Sequence, residues 1–235
     1  MIKSPIVTNA LRKLYDVIAR HKSKTICFTA STANEGTTTI ASATAEIAAA
    51  LNQKVLFCDF TNYSNSLSKT LNLHFQETKG DHLEQIYENI NFIEKNGFYL
   101  LPPPVPLIST LARHKIMTDL FELLKKQYDL IIIDSNSIND YSGTIFSAAS
   151  LCEAADSTIL VILSGVVSEN EVKDTATNIV RSGGKLIGCV MNDPNYPRLV
   201  DELSRQTYRL ENKFPDYAES LRKWLKKSSF LNMEN

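Results

Sequence analysis

Residues 25–60 read TICFTASTANEGTTTIASATAEIAAALNQKVLFCDF. No other stretch constrains the fold so tightly. An apolar run, 26–28, leads into a small polar loop, 30–36. Three threonines, Thr37, Thr38 and Thr39, open an alanine-rich helix. A second apolar run, 55–58, ends on Asp59. Strand, loop, helix and a strand closed by an acid make up the opening unit of a phosphate-binding α/β fold. Backbone N–H groups at the helix start face an anion in such a unit.

The chemistry of the loop departs from its architecture. A working P-loop reads G-x-x-x-x-G-K-[ST], and its lysine reaches the β- and γ-phosphates. Here Thr37 follows Gly36, where that lysine belongs. The first glycine is absent too, with Ala33 or Asn34 nearest its place. Residues 25–53 contain no Lys or Arg, while Glu35 and Glu46 add negative charge. A nucleotide site of weakened or altered character follows. Asn34, Glu35, Gly36, Thr37, Thr38 and Thr39 are its candidate contacts. Glu35, just before the last loop glycine, is expected to face solvent.

The chain has 235 residues, 43% of them hydrophobic, enough for one large α/β domain over 1–235. That domain is expected to carry an N-terminal helix near 9–21 and a helical extension over 196–235. The net charge of −1 provides no global field for nucleic acid. Residues 1–24 are a local exception, with six Lys and Arg against Asp16 alone. Cys27, Cys58, Cys152 and Cys189 form no C-x-x-C pair, so they read as reduced core residues of a cytoplasmic protein. The N-terminal residues lack the apolar run of a secretory signal. The longest apolar stretch, 159–167, falls far short of the roughly 20 residues that span a bilayer. Any membrane association is expected to come through a partner or a surface contact. The four histidines show no ligand spacing.

Further along, a helix over 9–21 presents Leu11, Leu14, Tyr15 and Ile18 on one face, with Thr8 or Asn9 as its cap. In the helix after the loop, Ile40, Ile47 and Leu51 fall on helical spacing, and the alanines between them suit close packing on a sheet. Short helices are expected near 66–73 and 81–89. A strand over 98–101 stops at Pro102, Pro103 and Pro104. A long helix starts near Ser109 or Thr110 and turns Leu111, Met117, Leu120, Phe121 and Leu124 inward. Residues 128–134, YDLIIID, form the clearest strand and end on Asp134. A small-residue helix over 142–154, a strand over 158–163, a capping box from Ser168 to Glu171 and a final strand over 185–191 complete the pattern. Strands alternating with helices predict a doubly wound, mainly parallel sheet with helices on both faces.

With these motifs placed, the chain resembles the cytoplasmic tyrosine-kinase domain of bacterial capsule and exopolysaccharide systems, a relative of the MinD/ParA ATPases. That family's V-L-L-I-D-A-D-x-R-x-P-S-L-x-x-L-x-G-L appears as VLFCDFTNYSNSLSKTLNL. Asp59 keeps the first acid, Thr61 replaces the second, and the arginine is gone. Y-D-x-I-I-I-D-T-P-P becomes YDLIIIDSNS, with Asp134 kept and Asn136 and Ser137 in place of the prolines. L-G-V-V-L-N becomes IGCVMN, ending at Asn192. The family's E-x-x-R-x-x-R, which binds neighbouring subunits into a ring, appears as Asn9-x-x-Arg12-x-x-Tyr15. The family's terminal tyrosine cluster has no match, since Tyr196, Tyr208 and Tyr217 are spread out.

Each candidate has two readings. Thr38 stands where the P-loop Ser/Thr holds Mg²⁺, or it caps the helix. Asp134, at the carboxyl edge of a buried strand, takes a metal or water role, or closes a turn. The resemblance implies that Asp59 helps to bind metal or to activate the nucleophile, and that Asn192 contacts adenine. Asn192-Asp193-Pro194 is also a turn signal. The catalytic candidates are therefore Asp59 and Asp134, and the metal candidates are Thr38 and Asp134. ATP or ADP with Mg²⁺ is the implied cofactor, expected to bind weakly or not at all. The resemblance implies a membrane-embedded polysaccharide chain-length regulator as partner, and weak self-association without it. Three functions compete: a regulatory scaffold without catalysis, an active ATPase or tyrosine kinase with a variant loop, and a MinD/ParA-like positioning ATPase. Only the basic residues near Trp224 favour the last.

Overall fold

Buried strands alternate with helices to build a seven-stranded sheet in a computed structural model that describes residues 5–61, 66–71, 89–102, 113–140 and 147–193. The strands are β1 Thr25–Ala30, β2 Val55–Phe60, β3 Asn91–Ile93, β4 Phe98–Leu101, β5 Leu130–Ser135, β6 Ser157–Leu163 and β7 Leu186–Asn192. The helices are α1 Pro5–His21, α2 Thr37–Ala50, α3 Leu67–Thr70, α4 Arg113–Leu124, α5 Ala148–Ala154 and α6 Glu169–Arg181. Residues 11–192 form one compact unit. A second comprises 1–10 and 193–235, of which only residues 5–10 and Asp193 are described. The expected C-terminal helices, the helix near 81–89 and the start of the helix near Ser109 lie outside the described residues.

The strand order is β3-β4-β2-β5-β1-β6-β7. All neighbours are parallel except β3 and β4. The doubly wound, mainly parallel sheet is therefore as predicted. The central strands β1, β2 and β5 are buried at every position, which explains their unbroken apolar runs. Alternation divides their side chains between two layers. Ile26, Phe28, Val55, Phe57 and Ile132 pack with Ile18 of α1 and with Ala41, Ala45 and Ala48 of α2. Cys27, Leu56, Cys58, Ile131 and Ile133 pack with Met117, Leu120, Phe121 and Leu124 of α4, Cys152 of α5 and Ile179 of α6. Each of the four buried side chains of α4 contributes roughly 1.5–3 kcal/mol by leaving water.

As expected, the alanines carry α2 onto the sheet, with Thr44 beside them; Ile40 and Ile47 are half-buried and Leu51 is exposed. Small side chains bring this helix onto the sheet, so the larger ones are left at its margins. The first helix begins at Pro5, ahead of the expected caps Thr8 and Asn9, because proline suits a first turn whose N–H groups lack helical partners. Cys189 is exposed on the edge strand β7, whereas the other three cysteines are buried free thiols. The strand β3 was not legible. It has three residues, two of them exposed, and no alternation to read. The Ser168–Glu171 capping box is present with both of its hydrogen bonds.

Candidate functional site

The loop between β1 and α2 crosses the carboxyl ends of the parallel strands, where ligands bind in sheets of this kind. Two of its residues adopt left-handed backbone, Asn34 with φ 67° and Gly36 with φ 86°. Asparagine tolerates that conformation better than most residues. Asn34 thus takes a shape that glycine usually supplies. Gly36 is required in a second way. A Cβ there would lie 2.3 Å from Nδ2 of Asn192.

A cavity of about 490 Å³ opens over the loop. Its walls are Thr32 to Thr38, with Thr61, Thr70, Ser135, Asn136, Ser137 and Asp140. Thr37 and Thr38 are half-buried at the start of α2 and line it. Thr39 is exposed on α2 and is not part of the wall. Among the described residues no lysine or arginine lines the cavity.

Two buried acids stand at this end of the sheet. Asp59 and Asp134 are register partners on β2 and β5, and Phe28 of β1 pairs with Asp134. By alternation both acids share the face of Phe57 and Ile132, on which α2 packs. Their surroundings differ. Asp59 is fully engaged. One oxygen accepts the Thr61 hydroxyl at 2.7 Å, and the other accepts the Ser68 N–H at 2.9 Å and its hydroxyl at 2.7 Å. It ties the end of β2 to the turn of α3. Asp134 accepts no well-formed hydrogen bond on either oxygen among the described residues, and is fully buried. Burial pushes its carboxyl well above the usual range, the neighbouring Asp59 charge adds to this, and the Thr38 hydroxyl opposes it. The N-cap of the helix is Gly36, which has no side chain to cap it.

Glu35 overturns the expectation that it faces solvent. It is 1% exposed. One carboxylate oxygen accepts the Thr32 N–H and, at 3.0 Å, the Thr32 hydroxyl. The other accepts the Leu163 N–H at 2.9 Å. Its own carbonyl accepts from Nδ2 of Asn192 at 2.8 Å. The loop is therefore bolted to the ends of β6 and β7. A loop rich in backbone donors needs an acceptor, and an acid at this position supplies one. Asn192 touches the loop backbone and does not line the cavity. The turn after β5 is bound in as well. Thr29 donates to the Asn136 carbonyl at 2.8 Å, and Asn139 donates to the Ser31 carbonyl at 3.2 Å.

This clamp gives a direct expectation. Glu35→Gln should destabilise the protein by about 1–3 kcal/mol, because an amide nitrogen cannot accept an N–H that a carboxylate oxygen accepts. Urea unfolding at neutral pH measures the difference. An unchanged midpoint would remove the clamp from the description.

A divalent cation fits this floor in part. Asp134 offers two unpaired oxygens beside the Thr38 hydroxyl. Among the described residues no group of three or more His, Cys, Asp or Glu is placed to hold a metal. Sequence reasoning placed the loop, Asp59 and Asp134 together, and they do come together. It missed Thr32, Thr70 and Asp140 on the wall, and Leu163 as the anchor for Glu35. A main-chain donor leaves no signal in residue type.

No protein-family model matches the chain. The tyrosine-protein kinase CpsD of Streptococcus agalactiae serotype III is 31% identical over 93 residues, covering 40% of this chain and 38% of that one. The tyrosine-protein kinase Etk of Escherichia coli K12 is 26% identical over 191 residues, covering 78% of this chain and 26% of that one. The chain thus spans well under half the length of either relative. The solved kinase domain of Etk superposes with a TM-score of 0.65 at 22% identity, over 80% of this chain and 77% of that one. MinD of Aquifex aeolicus, in its complex with MinC, gives 0.57 at 20% identity, over 72% and 68%. At these identities the structural likeness is one of fold. Among the described residues no helix is long and apolar enough to cross a membrane. In sequence the chain is thus similar to parts of bacterial tyrosine-protein kinases, and in fold to the kinase domain of Etk and to MinD.

Proposed function

We propose that this protein binds a nucleotide at the β1–α2 loop and acts as a regulatory or scaffold member of a membrane polysaccharide-assembly system, without efficient phosphoryl transfer. One observation carries the reading: a cavity over a P-loop-shaped turn, with Thr38 on its wall and no lysine or arginine among the described residues that line it. Phosphoryl transfer is catalysed almost entirely by positioning and by charge stabilisation. A wall of hydroxyls and amides keeps the first and lacks the protein's usual share of the second. The committed oxygens of Asp59 also favour a structural duty for that acid over activation of a nucleophile. The names of the relatives support a likeness to tyrosine kinases, and the scaffold role, the polysaccharide system and its membrane partner are inferred from the family resemblance and the altered loop.

Autophosphorylation should be absent or very slow. After incubation with ATP and Mg²⁺, peptide mass spectrometry is expected to find no phosphate on Tyr196, Tyr208 or Tyr217. Phosphate on Tyr208 or Tyr217 within minutes would refute the regulatory reading in favour of an active kinase.

A further inference from the structure

Two of the buried thiols meet. Cys152 Sγ of α5 donates to Cys27 Sγ of β1 across 3.8 Å, and both side chains are fully buried. They lie 125 residues apart in sequence. The strand order leaves Cys27 no other cysteine in reach. Its strand lies between β5 and β6, so Cys58 on β2 and Cys189 on β7 each stand two strands away, roughly 10 Å at the usual spacing. Cys152 is backed closely by Gly184, where a Cβ would lie 2.9 Å from the Cys152 Cβ.

The contact continues to the cavity. Cys27 Sγ donates to Ser135 Oγ at 3.8 Å, and Ser135 donates to the Phe28 carbonyl at 2.9 Å. Ser135 is on the cavity wall. Cys152, Cys27 and Ser135 thus form one line of hydrogen bonds from α5 to that wall. The Cys152 sulfur and burial hold the Cys27 thiol well above its ordinary range, so it rests protonated and able to donate. Neither thiol has a part in the function proposed above.

We propose that Cys27 and Cys152 are a reversible dithiol–disulfide site, oxidised by a hydroperoxide, and that the change reaches the cavity wall through Ser135. The sulfurs close from 3.8 Å to about 2.05 Å. A buried thiol does not meet an oxidant in the closed fold, so the first step waits on local opening of α5, a helix of seven residues. There the Cys152 thiol loses its proton, and its sulfur attacks one peroxide oxygen. The O–O bond breaks and leaves a sulfenic acid on Cys152, while the other oxygen departs as alcohol or water with that proton. On reclosing, the Cys27 sulfur attacks the sulfenic sulfur. The S–O bond breaks, the S–S bond forms, and the hydroxyl leaves as water with the Cys27 proton. Two electrons pass from the thiols to the peroxide. Both S–H groups are gone, so Ser135 loses the donor that Cys27 gave it. A dithiol reductant reverses the bond by exchange.

Mass spectrometry and NMR on the full chain test this, and neither needs a nucleotide. Cys189→Ser removes the exposed thiol and leaves three. After hydrogen peroxide, unfolding in urea and alkylation with a maleimide should tag only Cys58. A tryptic map should join Cys27 to Cys152, and dithiothreitol should restore all three tags. The amide signals of Ser135 and Asn136 should shift on oxidation and return on reduction. Adding Cys27→Ser, or in a separate protein Cys152→Ala, should abolish both the crosslink and the shift. Three tags after peroxide would overturn the proposal. So would a crosslink to Cys58, or one that forms only when peroxide is added in urea. A native crosslink that leaves the Ser135 and Asn136 signals in place would overturn the link to the cavity wall.

Discussion

Replacing Thr37 with lysine should tighten ATP binding by about tenfold to hundredfold and leave the fold intact. The estimate follows from one hydrogen bond to a charged group, roughly 1.5–3 kcal/mol net, at 1.4 kcal/mol per decade. The anion cradle is already in place. Gly36 holds its left-handed turn, the first N–H groups of α2 are uncapped by any side chain, and Glu35 bolts the loop to β6. Thr37 is half-buried on the cavity wall, so a longer side chain can extend into the cavity without entering the core. The gain should be larger for ATP than for AMP, because a lysine here addresses the outer phosphates. Calorimetry with ATP, ADP and AMP on both proteins checks it. A folded variant with no gain for ATP would mean that the loop does not cradle phosphates.

A second large effect concerns stability. Asp134→Asn should stabilise the ligand-free protein by about 1–3 kcal/mol at neutral pH, because the amide has no charge to bury whereas the carboxyl must be buried charged or take up a proton. The wild-type carboxyl has a raised pKa, from burial first and from Asp59 second. Between its ordinary value of 3.8 and its folded value, the folded state holds more protons than the unfolded one. Stability linked to this group is therefore fully present below pH 3.8 and is lost as pH rises through the folded pKa. The variant has no such proton, so its melting temperature should fall less as pH rises. At roughly 2–4 °C per kcal/mol for a domain of this size, the difference at pH 7 is several degrees. Thermal melts of both proteins across a pH series read it out. A variant that melts lower than wild type at pH 7 would show that Asp134 has a partner within the protein.

Much of this was legible because buried parallel strands leave a plain signature. Runs such as LIIID and VLFCD can only be strands covered on both faces, and an acid closing such a run has to lie at the sheet's carboxyl edge. Period-two alternation then carries Asp59 and Asp134 to the same face as α2. The capping box at Ser168 was readable because both of its partners are close in sequence. Glu35 was misread because its partners are not. Leu163 lies on another strand, and its contribution is a main-chain N–H. The inner face of α2 was readable because close approach to a sheet selects alanine, and Ala41, Ala45 and Ala48 lie on it. The resemblance implied an adenine contact for Asn192; its amide donates to the Glu35 carbonyl, a contact that only the fold brings about.

Calorimetric titration of the unmodified protein with ATP in Mg²⁺ bears most directly on whether this loop is a nucleotide site deprived of its charge. The predicted result is saturable, single-site binding weaker than about 10 μM, as expected when the dipoles remain and the lysine does not. Low-micromolar or tighter affinity would contradict it, because Thr37 would then belong to a fully working loop.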